Sequence, residues 1–508
     1  MSDDARPGDE WLRLDPRTVL VTALVLAGAA FGAGVPATVG LAGSMPFPVA
    51  CAWVVAGAVV LVGGGAATDW VRWQRTRYRI GAERAELHTG LLLVKRRSLA
   101  RERIRTVDLT ANPLLRVLGL VKVRIGTGEQ TGGGESTLEL DAVRRAEGER
   151  LRRVLLARVA AADPDPAAAG PLAELDPRWI RYAPVSFVAP LLGGAAAGAV
   201  MQVSEWFGVQ ARVIHWVGDR FEETPLVWML AVLVAAACVA GVVGALGLWV
   251  EMWWGYRLER EPGGTLRVRR GLLTSRSLTL EERRLRGVEL HEPLGVRLCR
   301  AARIDAIATG LDKGEEAEHA DHKTLLPAAP RAVVDQVAAR VLREPRAPTA
   351  APLTSHPPAA RTRRLRWALA TVLLPVVVLL LLGWWLTPVL LYVAGGVAVV
   401  GAPVAVVLAL DAYRALGHGI AGGYLLARSG TMRRTTVALQ RGGVIGWTVK
   451  QSVFQRRAGV LTLTATTAAG SGAYSVYDAA QGEGLAFAAE AVPGLLGAFL
   501  EEDATPEA

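Results

Sequence analysis

Long apolar runs without charged residues alternate along the chain with polar segments in which apolar residues recur at every second position. Six of the runs are about 20 residues long, which is the length that a helix needs to cross roughly 30 Å of hydrocarbon. Their length and lack of charge favour membrane spans over buried core helices. We therefore predict six membrane-spanning helices, at about 18–42, 46–68, 183–203, 225–250, 367–387 and 389–410.

The six runs come in pairs, so each pair predicts a transmembrane hairpin. The turns at 43–46 and 387–388 are very short, whereas the middle pair is joined by a net acidic loop at 204–224. All long polar segments then lie on one side of the membrane, and they carry arginine-rich stretches such as 70–79 and 361–367. By the positive-inside rule, we expect these segments and both termini to be cytoplasmic.

The polar segments have the pattern of antiparallel sheets followed by a helix. The sequence GLVKVRIGTG at 119–128 alternates apolar and polar residues, which predicts a half-buried strand. Glycine-rich turns at 126–136 and 261–264 favour antiparallel pairing. A helix is predicted at 331–344, and Pro493 predicts a shorter or kinked helix in the last segment. About seven strands with one carboxy-terminal helix is the plan of a PH-like barrel or sandwich.

The three polar segments also match one another. Gly90, Gly271 and Gly430 align, and an aromatic residue or histidine precedes each of them. Gly119 follows Gly90 at the same distance as Gly459 follows Gly430. We therefore predict three repeats, each consisting of a transmembrane hairpin and a cytoplasmic PH-like module with a C-terminal helix.

These patterns predict ten segments in chain order. The predicted segments are an N-terminal tail (1–17), hairpin 1 (18–69), PH-like domain 1 (70–161), a linker (162–182), hairpin 2 (183–250), PH-like domain 2 (251–344), a linker (345–366), hairpin 3 (367–410), a divergent PH-like domain 3 (411–500) and an acidic tail (501–508).

The first module resembles a known family most closely. A hairpin, a Tyr-bearing strand, and then ERIRTVDL and NPLLRVLGL resemble the bacterial PH-like domain, formerly a domain of unknown function. The three-copy arrangement resembles YdbT-like bacterial membrane proteins, which implies a multi-pass protein of the cytoplasmic membrane. The matching positions are Tyr78, Gly90, Ile104, Val107, Pro113 and Gly119 in the first copy, Tyr256, Gly271, Leu285, Val288 and Pro293 in the second, and Gly430, Trp447 and Gly459 in the third.

The net charge of +10 suits contact with an anionic surface. Each basic residue near an anionic leaflet contributes on the order of 1 kcal/mol. Alternatively, such residues form solvated faces that only set the topology. Nucleic acid is not an expected partner, because no recognition helix, RNP-like pattern or zinc-finger spacing is present. The candidate anionic-lipid contacts are Lys95, Arg96, Arg97, Arg101, Arg103 and Arg105.

The sequence does not indicate an enzyme, a metal site or a cofactor. His319 and His322 lie in the acidic stretch EEAEHADH at 315–322, but their spacing matches no established metal site, so a solvated loop is favoured. The three cysteines form no CxxC motif or disulfide framework.

Two functions remain open from the sequence. The first is a non-enzymatic membrane scaffold that presents PH-like domains to lipid, peptide or protein partners at the cytoplasmic face. The resemblance implies a role in envelope maintenance or stress resistance. The alternative is a transporter or exporter of a lipidic or uncharged substrate, gated by those domains. The predicted spans lack the intramembrane carboxylates and histidines that ion-coupled carriers generally need, which favours the scaffold.

Overall fold

The computed structural model describes residues 11–81, 83–90, 95–104, 106–126, 137–160, 170–186, 188–220, 224–310 and 323–496. It consists of two compact units, Met1–Glu282 and Arg283–Ala508. The boundary lies within the predicted second PH-like domain (251–344), so one half of that domain belongs to each unit. Arg105, the stretch 315–322, the tail 501–508 and most of the glycine-rich turn at 126–136 lie outside the described residues.

The first unit contains two helical pairs and two antiparallel sheets. Its helices are α1 Arg17–Ala42, α2 Phe47–Arg75, α3 Pro113–Val117, α4 Arg145–Ala160, α5 Val188–Trp206, α6 Gln210–Arg220 and α7 Leu226–Trp253. Its strands are β1 Leu12–Arg13, β2 Arg77–Ile80, β3 Arg84–Thr89, β4 Lys95–Ala100, β5 Thr106–Ala111, β6 Leu120–Gly126, β7 Thr137–Arg144, β8 Gly170–Glu174, β9 Arg257–Glu261, β10 Thr265–Arg270 and β11 Ser275–Glu281.

One sheet of this unit joins strands from two different polar segments. The smaller sheet has the order β1-β2-β3-β4, and the larger has the order β7-β6-β5-β11-β10-β9-β8. At the joint, β5 pairs antiparallel with β11, with Ala111 opposite Ser275 and Leu109 opposite Ser277. The sheet therefore continues from the first polar segment into the second.

The predicted alternating strand at 119–128 is confirmed as β6. Its apolar residues Val121, Val123 and Ile125 are buried in the core between the sheet and α4. Lys122 and Arg124 point to the other face, where both form ion pairs with Glu139. The short helix α3 precedes this strand, and the turn between them contains Gly119, a residue with positive φ.

That helix end depends on one glycine. The side chain of Asn112 accepts a hydrogen bond from Leu115 N and so caps α3, and Pro113 is the first helical residue. After α3, Gly119 adopts φ 72°, which glycine reaches without steric cost. The chain can then reverse directly into β6.

The second unit has the same kinds of element. Its helices are α8 Leu294–Leu298, α9 Arg331–Leu342, α10 Pro358–Trp385, α11 Val389–Arg414, α12 Val453–Arg457 and α13 Gln481–Ala491. Its strands are β12 Leu285–Pro293, β13 Ala301–Ala308, β14 Thr324–Pro330, β15 Gly417–Ala421, β16 Tyr424–Ser429, β17 Arg433–Gln440, β18 Val444–Lys450, β19 Val460–Thr467 and β20 Ala473–Ala480.

The sheets of the second unit show the same kind of joint. One has the order β14-β13-β12-β17-β16-β15, and the other has the order β18-β19-β20. Strand β12 pairs antiparallel with β17, with Glu292 opposite Arg434 and Leu290 opposite Thr436. Counted from Gly271 and Gly430, these pairs lie at the same offsets as the pairs between β5 and β11.

The pairing corrects two matches made from the sequence. Tyr78 lies opposite Leu87, three residues before Gly90, and the equivalent pair in the next sheet is Leu258 with Val268. Tyr256 precedes β9, is fully buried, and stacks edge-on against Trp253. Leu258 therefore takes the place assigned to Tyr256, because the chain between helix and strand is longer in this segment.

The second correction concerns Pro293, which aligns with Asn112 and not with Pro113. Pro293 is the residue before α8, as Asn112 is the residue before α3. After α8, Arg300 has φ 54° at the position that Gly119 occupies after α3. The sequence match failed here because a non-glycine residue adopts the left-handed conformation. Ile104, Leu285 and Val444 keep equivalent places before these short helices.

Within the described residues, five helices are long and apolar enough to span a membrane by length and composition: α1, α2, α7, α10 and α11. The run predicted at 183–203 forms α5, a helix of 19 residues that is not among these five. The predicted loop at 204–224 contains the helix α6, which the sequence pattern did not indicate. Helix α10 begins at Pro358, so the arginines of 361–367 lie in its first turns. Helix α13 ends before Pro493, which confirms the shorter last helix.

Candidate functional site

The predicted basic cluster falls on the outermost strand of the first sheet and on the turn after it. Lys95, Arg96 and Arg97 belong to β4, and Arg101 and Arg103 form a short 3₁₀ helix. Because successive strand residues point to opposite faces, Arg96 lies on the outer face while Lys95 and Arg97 lie on the face that carries the buried Leu99. The structure therefore separates residues that are neighbours in sequence.

Arg101 has a structural role. Its guanidinium donates to the backbone oxygen of Val154 in α4 at 2.6 Å and to that of Gly81 at 3.3 Å. These bonds tie the end of β4 to the helix that covers the core. Arg101 is consequently a poor candidate for contact with a ligand.

A different set of basic residues forms a continuous row across all four strands of this sheet. Arg13 on β1 lies opposite Arg77 on β2, Arg77 opposite His88 on β3, and His88 opposite Arg96 on β4. We call Arg13, Arg77, His88 and Arg96 the basic row. Since neighbouring strands are about 4.8 Å apart, the row is about 14 Å wide. The three arginines are exposed and His88 is half-buried.

The first hairpin fixes the position of the basic row. Arg13 lies just before α1, and Arg77 lies just after α2, so the row is at the end of the sheet that is next to the helices. The indole of Trp73 in α2 donates to the Leu14 backbone oxygen at 2.8 Å. Both attachments hold the row close to the start of α1 and the end of α2.

Asp15 strengthens the connection between hairpin and sheets. Its carboxylate accepts hydrogen bonds from Arg17 N and from Nε of Arg144. Burial alone would raise the pKa of Asp15, but the bonds from Arg144 and Arg17 outweigh it and lower the pKa. The carboxylate therefore stays charged and keeps the start of α1 in place.

Aromatic stacking borders the basic row. The ring of Trp11 lies 4.4 Å from the ring of His88, and the guanidinium of Arg79 lies 5.0 Å from the Trp11 ring. Arg79 is neutralised by Glu86 at 2.7 Å. Trp11 therefore packs beside the basic row and contacts both His88 and Arg79.

The equivalent row in the next sheet has lost most of its free charge. It consists of Glu174, Arg257, Arg269 and Ser277, paired in that order across β8 to β11. Here Glu174 lies 3.7 Å from Arg257, so an acid takes the place of Arg13. An uninterrupted basic row is thus a property of the first sheet.

In the last sheet the row is smaller still. Gly417 lies opposite Arg428, and Arg428 opposite Thr436. The guanidinium of Arg428 is directed to the backbone oxygen of Ala415 at 3.0 Å. Burial, together with the nearby Arg434, lowers the pKa of Arg428. This arginine is used inside the unit and does not form a surface charge row.

Two buried polar clusters lie outside the basic row and are closed by their own contacts. In the first unit, Arg152 and Arg267 each bond to both Glu149 and Glu261, at distances between 2.8 and 3.1 Å. Burial opposes the charged carboxylates, but the two arginines outweigh it and lower the pKa of both glutamates. This ionic quartet joins α4 to β9 and β10 and leaves no carboxylate for a reaction.

The second cluster contains a histidine pair in the second unit. His356 Nε2 lies 3.0 Å from His418 Nδ1, and His356 Nδ1 lies 3.2 Å from the Asp478 backbone oxygen. Burial, followed by repulsion from His418, lowers the pKa of His356 to about 4. The Asp478 carboxylate accepts from Gln455 and from Arg363. Within the described residues, no group of three or more His, Cys, Asp or Glu could hold a metal ion.

Sequence reasoning missed the basic row because its members come from four separate strands. Arg96 was identified from the dense run around it, whereas Arg13, Arg77 and His88 are isolated in sequence. The repeated tetrapeptide LDPR, at 14–17 and 175–178, was the available signal, because in both places a short edge strand precedes it. That strand adds Arg13 to the row.

Comparison with known proteins agrees with the architecture. A family model described as "Bacterial PH domain" matches residues 23–159 and 365–489. The transmembrane protein YdbT of Bacillus subtilis (strain 168) is 28% identical over 123 residues. That alignment includes 24% of this chain and 22% of the relative, so it covers about a fifth of the relative's length. No solved structure matches the chain.

The matched segments account for just over half of the chain, and they contain the first and last polar segments described above. The middle segment lies outside the match. Together with five helices apolar enough to span a membrane, the match identifies a membrane protein with PH-like domains. The chain belongs to the Bacterial PH domain family.

Proposed function

We propose that this protein is a non-enzymatic membrane scaffold whose first PH-like module contacts anionic phospholipid headgroups through the basic row. The basic row itself is the observation that carries the proposal. Three arginines and a histidine form one line at the hairpin end of a sheet, beside a tryptophan. A phosphate close to the inner leaflet has the complementary charge.

The proposal includes three repeats and six spans, with α5 as the partner of α7. Gly193 and Gly241 support this pairing, because a Cβ at either would lie about 2 Å from a backbone oxygen of the other helix. Such close contact between small residues is typical of helices packed in membranes. All modules and both termini are then on the cytoplasmic side, where the arginine-rich segments belong.

Three similar sets of elements support the repeat. In each set an edge strand or bridge is followed by long apolar helices, four strands, a short helix, two further strands and a closing helix, which is shorter in the last set. The loss of charge along the equivalent rows indicates that lipid contact belongs to the first copy. The other copies act as a frame that offers surfaces to protein partners.

Native mass spectrometry of the full chain in detergent tests lipid contact. The protein is titrated with phosphatidylglycerol and with phosphatidylcholine, and bound lipids are counted. The variant Arg77→Ala/Arg96→Ala removes two basic residues, each contributing on the order of 1 kcal/mol, so we expect phosphatidylglycerol affinity to fall roughly 30-fold. Phosphatidylcholine binding should stay unchanged.

The matched control is Arg257→Ala, which alters the equivalent row of the next sheet beside Glu174. We expect this variant to bind phosphatidylglycerol as the unmodified chain does. Equal loss in both variants would mean that only total charge matters, and no loss in the double variant would exclude the basic row as a lipid contact.

A further inference from the structure

Two sheet edges are left over from the joints that connect the polar segments. Strand β5 pairs with β11, and β12 pairs with β17, at the same offsets. Like β5 and β12, strand β18 directly precedes a short helix, but β18 is the outermost strand of its sheet. Strand β4 follows Gly90 as β11 follows Gly271 and β17 follows Gly430, but β4 is the outermost strand of the first sheet.

On β18, a side chain is exposed at a position where the equivalent side chains of β5 and β12 are buried by strand pairing. Val449 is 44% exposed, whereas the residues at its position in β5 and β12, Leu109 and Leu290, are 6% and 0% exposed. In the short helix that follows β18, Val453 and Phe454 are also exposed. An exposed apolar patch along an unpaired strand indicates a missing partner.

The complementary difference is found on β4. Ser98 is exposed, whereas the residues at its position in β11 and β17, Thr279 and Ala438, are buried. Both leftover edges therefore expose positions that the joints cover. Each edge lacks the kind of strand that the other edge offers.

We propose that β18 of one chain pairs antiparallel with β4 of a second copy in the membrane, in the register of the two internal joints. This inference rests on the three-repeat organisation proposed above. The register places Val449 opposite Arg96, as Leu109 lies opposite Ser277 and Leu290 opposite Thr436. Val449 is then covered by the neighbouring sheet.

The membrane makes the pairing favourable. Each module is attached to its own hairpin, so copies in one membrane carry β4 and β18 beside the same bilayer, and lateral diffusion brings these edges of different copies together. A contact between two different surfaces repeats from copy to copy and produces closed rings or chains. The same register places Lys95 opposite Lys450, which disfavours pairing at low salt.

Disulfide cross-linking tests the register. In a background with Cys51, Cys238 and Cys299 replaced by serine, one chain carries Arg96→Cys and a differently tagged chain carries Val449→Cys. Both are reconstituted together in phosphatidylcholine liposomes and oxidised. Residues directly opposite on antiparallel strands have the Cα separation that a disulfide requires, so we expect a cross-linked dimer carrying both tags.

The matched control replaces Arg96→Cys by Arg97→Cys, one residue out of register and on the other face of β4. We expect at least fivefold less cross-linked dimer from this pair. Equal yields would overturn the proposal. So would a disulfide that forms within a single chain carrying both Arg96→Cys and Val449→Cys when the mixed chains give none.

Salt gives an independent readout. Screening of Lys95 from Lys450 should raise the yield of mixed dimer, and a fall in yield with salt would contradict the register. All substituted positions are exposed or half-buried, and the thermal unfolding of each chain verifies that it is folded. Because the lipid is uncharged, failure of this experiment leaves the lipid-contact proposal standing.

Discussion

At the residue scale, the histidine pair in the second unit is the clearest source of pH dependence. His356 and His418 are both buried, and their rings are so close that two protonated rings would repel each other. His418 also stacks on Phe487, with ring centroids 4.8 Å apart. Both rings are therefore kept neutral in the folded state, and burial lowers the pKa of each.

We predict that the free energy of unfolding falls as the pH drops from about 6.5 towards 4. A histidine whose folded pKa is lowered takes up protons in the unfolded state first, so its contribution is fully present above the unfolded pKa and is lost on acidification. For His356, with a pKa of about 4, the loss amounts to about 3 kcal/mol. Thermal unfolding of the full chain in detergent measures it.

The variant His356→Gln should show a flatter pH profile over this range, while His215→Gln, at an exposed position on α6, should follow the unmodified protein. If the profile of His356→Gln is as steep as that of the unmodified chain, the pair does not control the acid response.

Asp108 at the joint of β5 and β11 gives the opposite pH response. Its Oδ1 is buried without a hydrogen-bond partner among the described residues, and burial raises its pKa to about 7 although Thr279 N and Arg124 oppose this. A raised carboxyl pKa means that stability is present below the unfolded pKa and is lost as the pH rises through 7. Asp108→Asn should therefore stabilise the chain by about 2 kcal/mol at pH 8 and by much less at pH 5. Equal gains at both pH values in thermal unfolding would show that Asp108 is not titrating.

The basic cluster illustrates what a sequence gives at this scale. The run from Lys95 to Arg105 is conspicuous, but the alternation of β4 divides it, and Arg101 is used in a bond to α4. The row Arg13, Arg77, His88 and Arg96 depends on the register of four strands. Register depends on long-range pairing, which a local pattern does not specify.

At the element scale, the ionic quartet holds α4 on the sheet of the next segment. Arg152 and Arg267 are nearly buried, and each bonds to both Glu149 and Glu261. Removing one member leaves its partners buried and incompletely paired, which costs more than the loss of a surface ion pair.

We predict that Arg152→Ala destabilises the chain by about 2–3 kcal/mol. Arg150→Ala, on the same helix, breaks only the exposed pair with Glu147 and should cost less than about 0.5 kcal/mol. The change in unfolding temperature in detergent, measured for both variants, tests the difference. Equal shifts would mean that the quartet adds no more than a surface contact.

The contact between α5 and α7 is also an element-scale feature. A Cβ at Gly193 would lie 2.2 Å from the backbone oxygen of Ala237, whereas nothing lies within 4 Å of a Cβ at Gly194. We predict that Gly193→Ala separates the helices and costs about 2 kcal/mol, because two backbones must move apart. Gly194→Ala should be neutral or slightly stabilising, since alanine favours helix more than glycine does. Thermal unfolding in detergent compares them, and a neutral Gly193→Ala would show that α5 and α7 are not packed this closely.

The sequence specified most individual elements well. The apolar runs gave five helices with spanning length, and the alternation of β6 and the shortening before Pro493 were recovered. The short helices after β5, β12 and β18 were not predicted from the sequence, because five residues are too few to show a helical periodicity. The pairing of strands from different polar segments was not predicted either, because α5, α6 and α7 lie between β5 and β11 in the chain.

At the scale of the whole molecule, the chain is a membrane protein with PH-like domains and apolar helices of spanning length. The family match covers the first and last segments, and the paired strands show how the middle one is connected in each unit. Among the described sheets, the first has an uninterrupted basic row, whereas Glu174 and Ser277 occupy the outer positions of the equivalent row in the next sheet. The central claim is that this row contacts anionic lipid.

The most direct measurement is hydrogen–deuterium exchange of the full chain in nanodiscs of phosphatidylcholine, with and without phosphatidylglycerol. We predict slower exchange in β1 to β4 when phosphatidylglycerol is present, loss of this effect in Arg77→Ala/Arg96→Ala, and no change in β9 and β10. Identical exchange in the two membranes, or protection that survives in the double variant, would contradict the account.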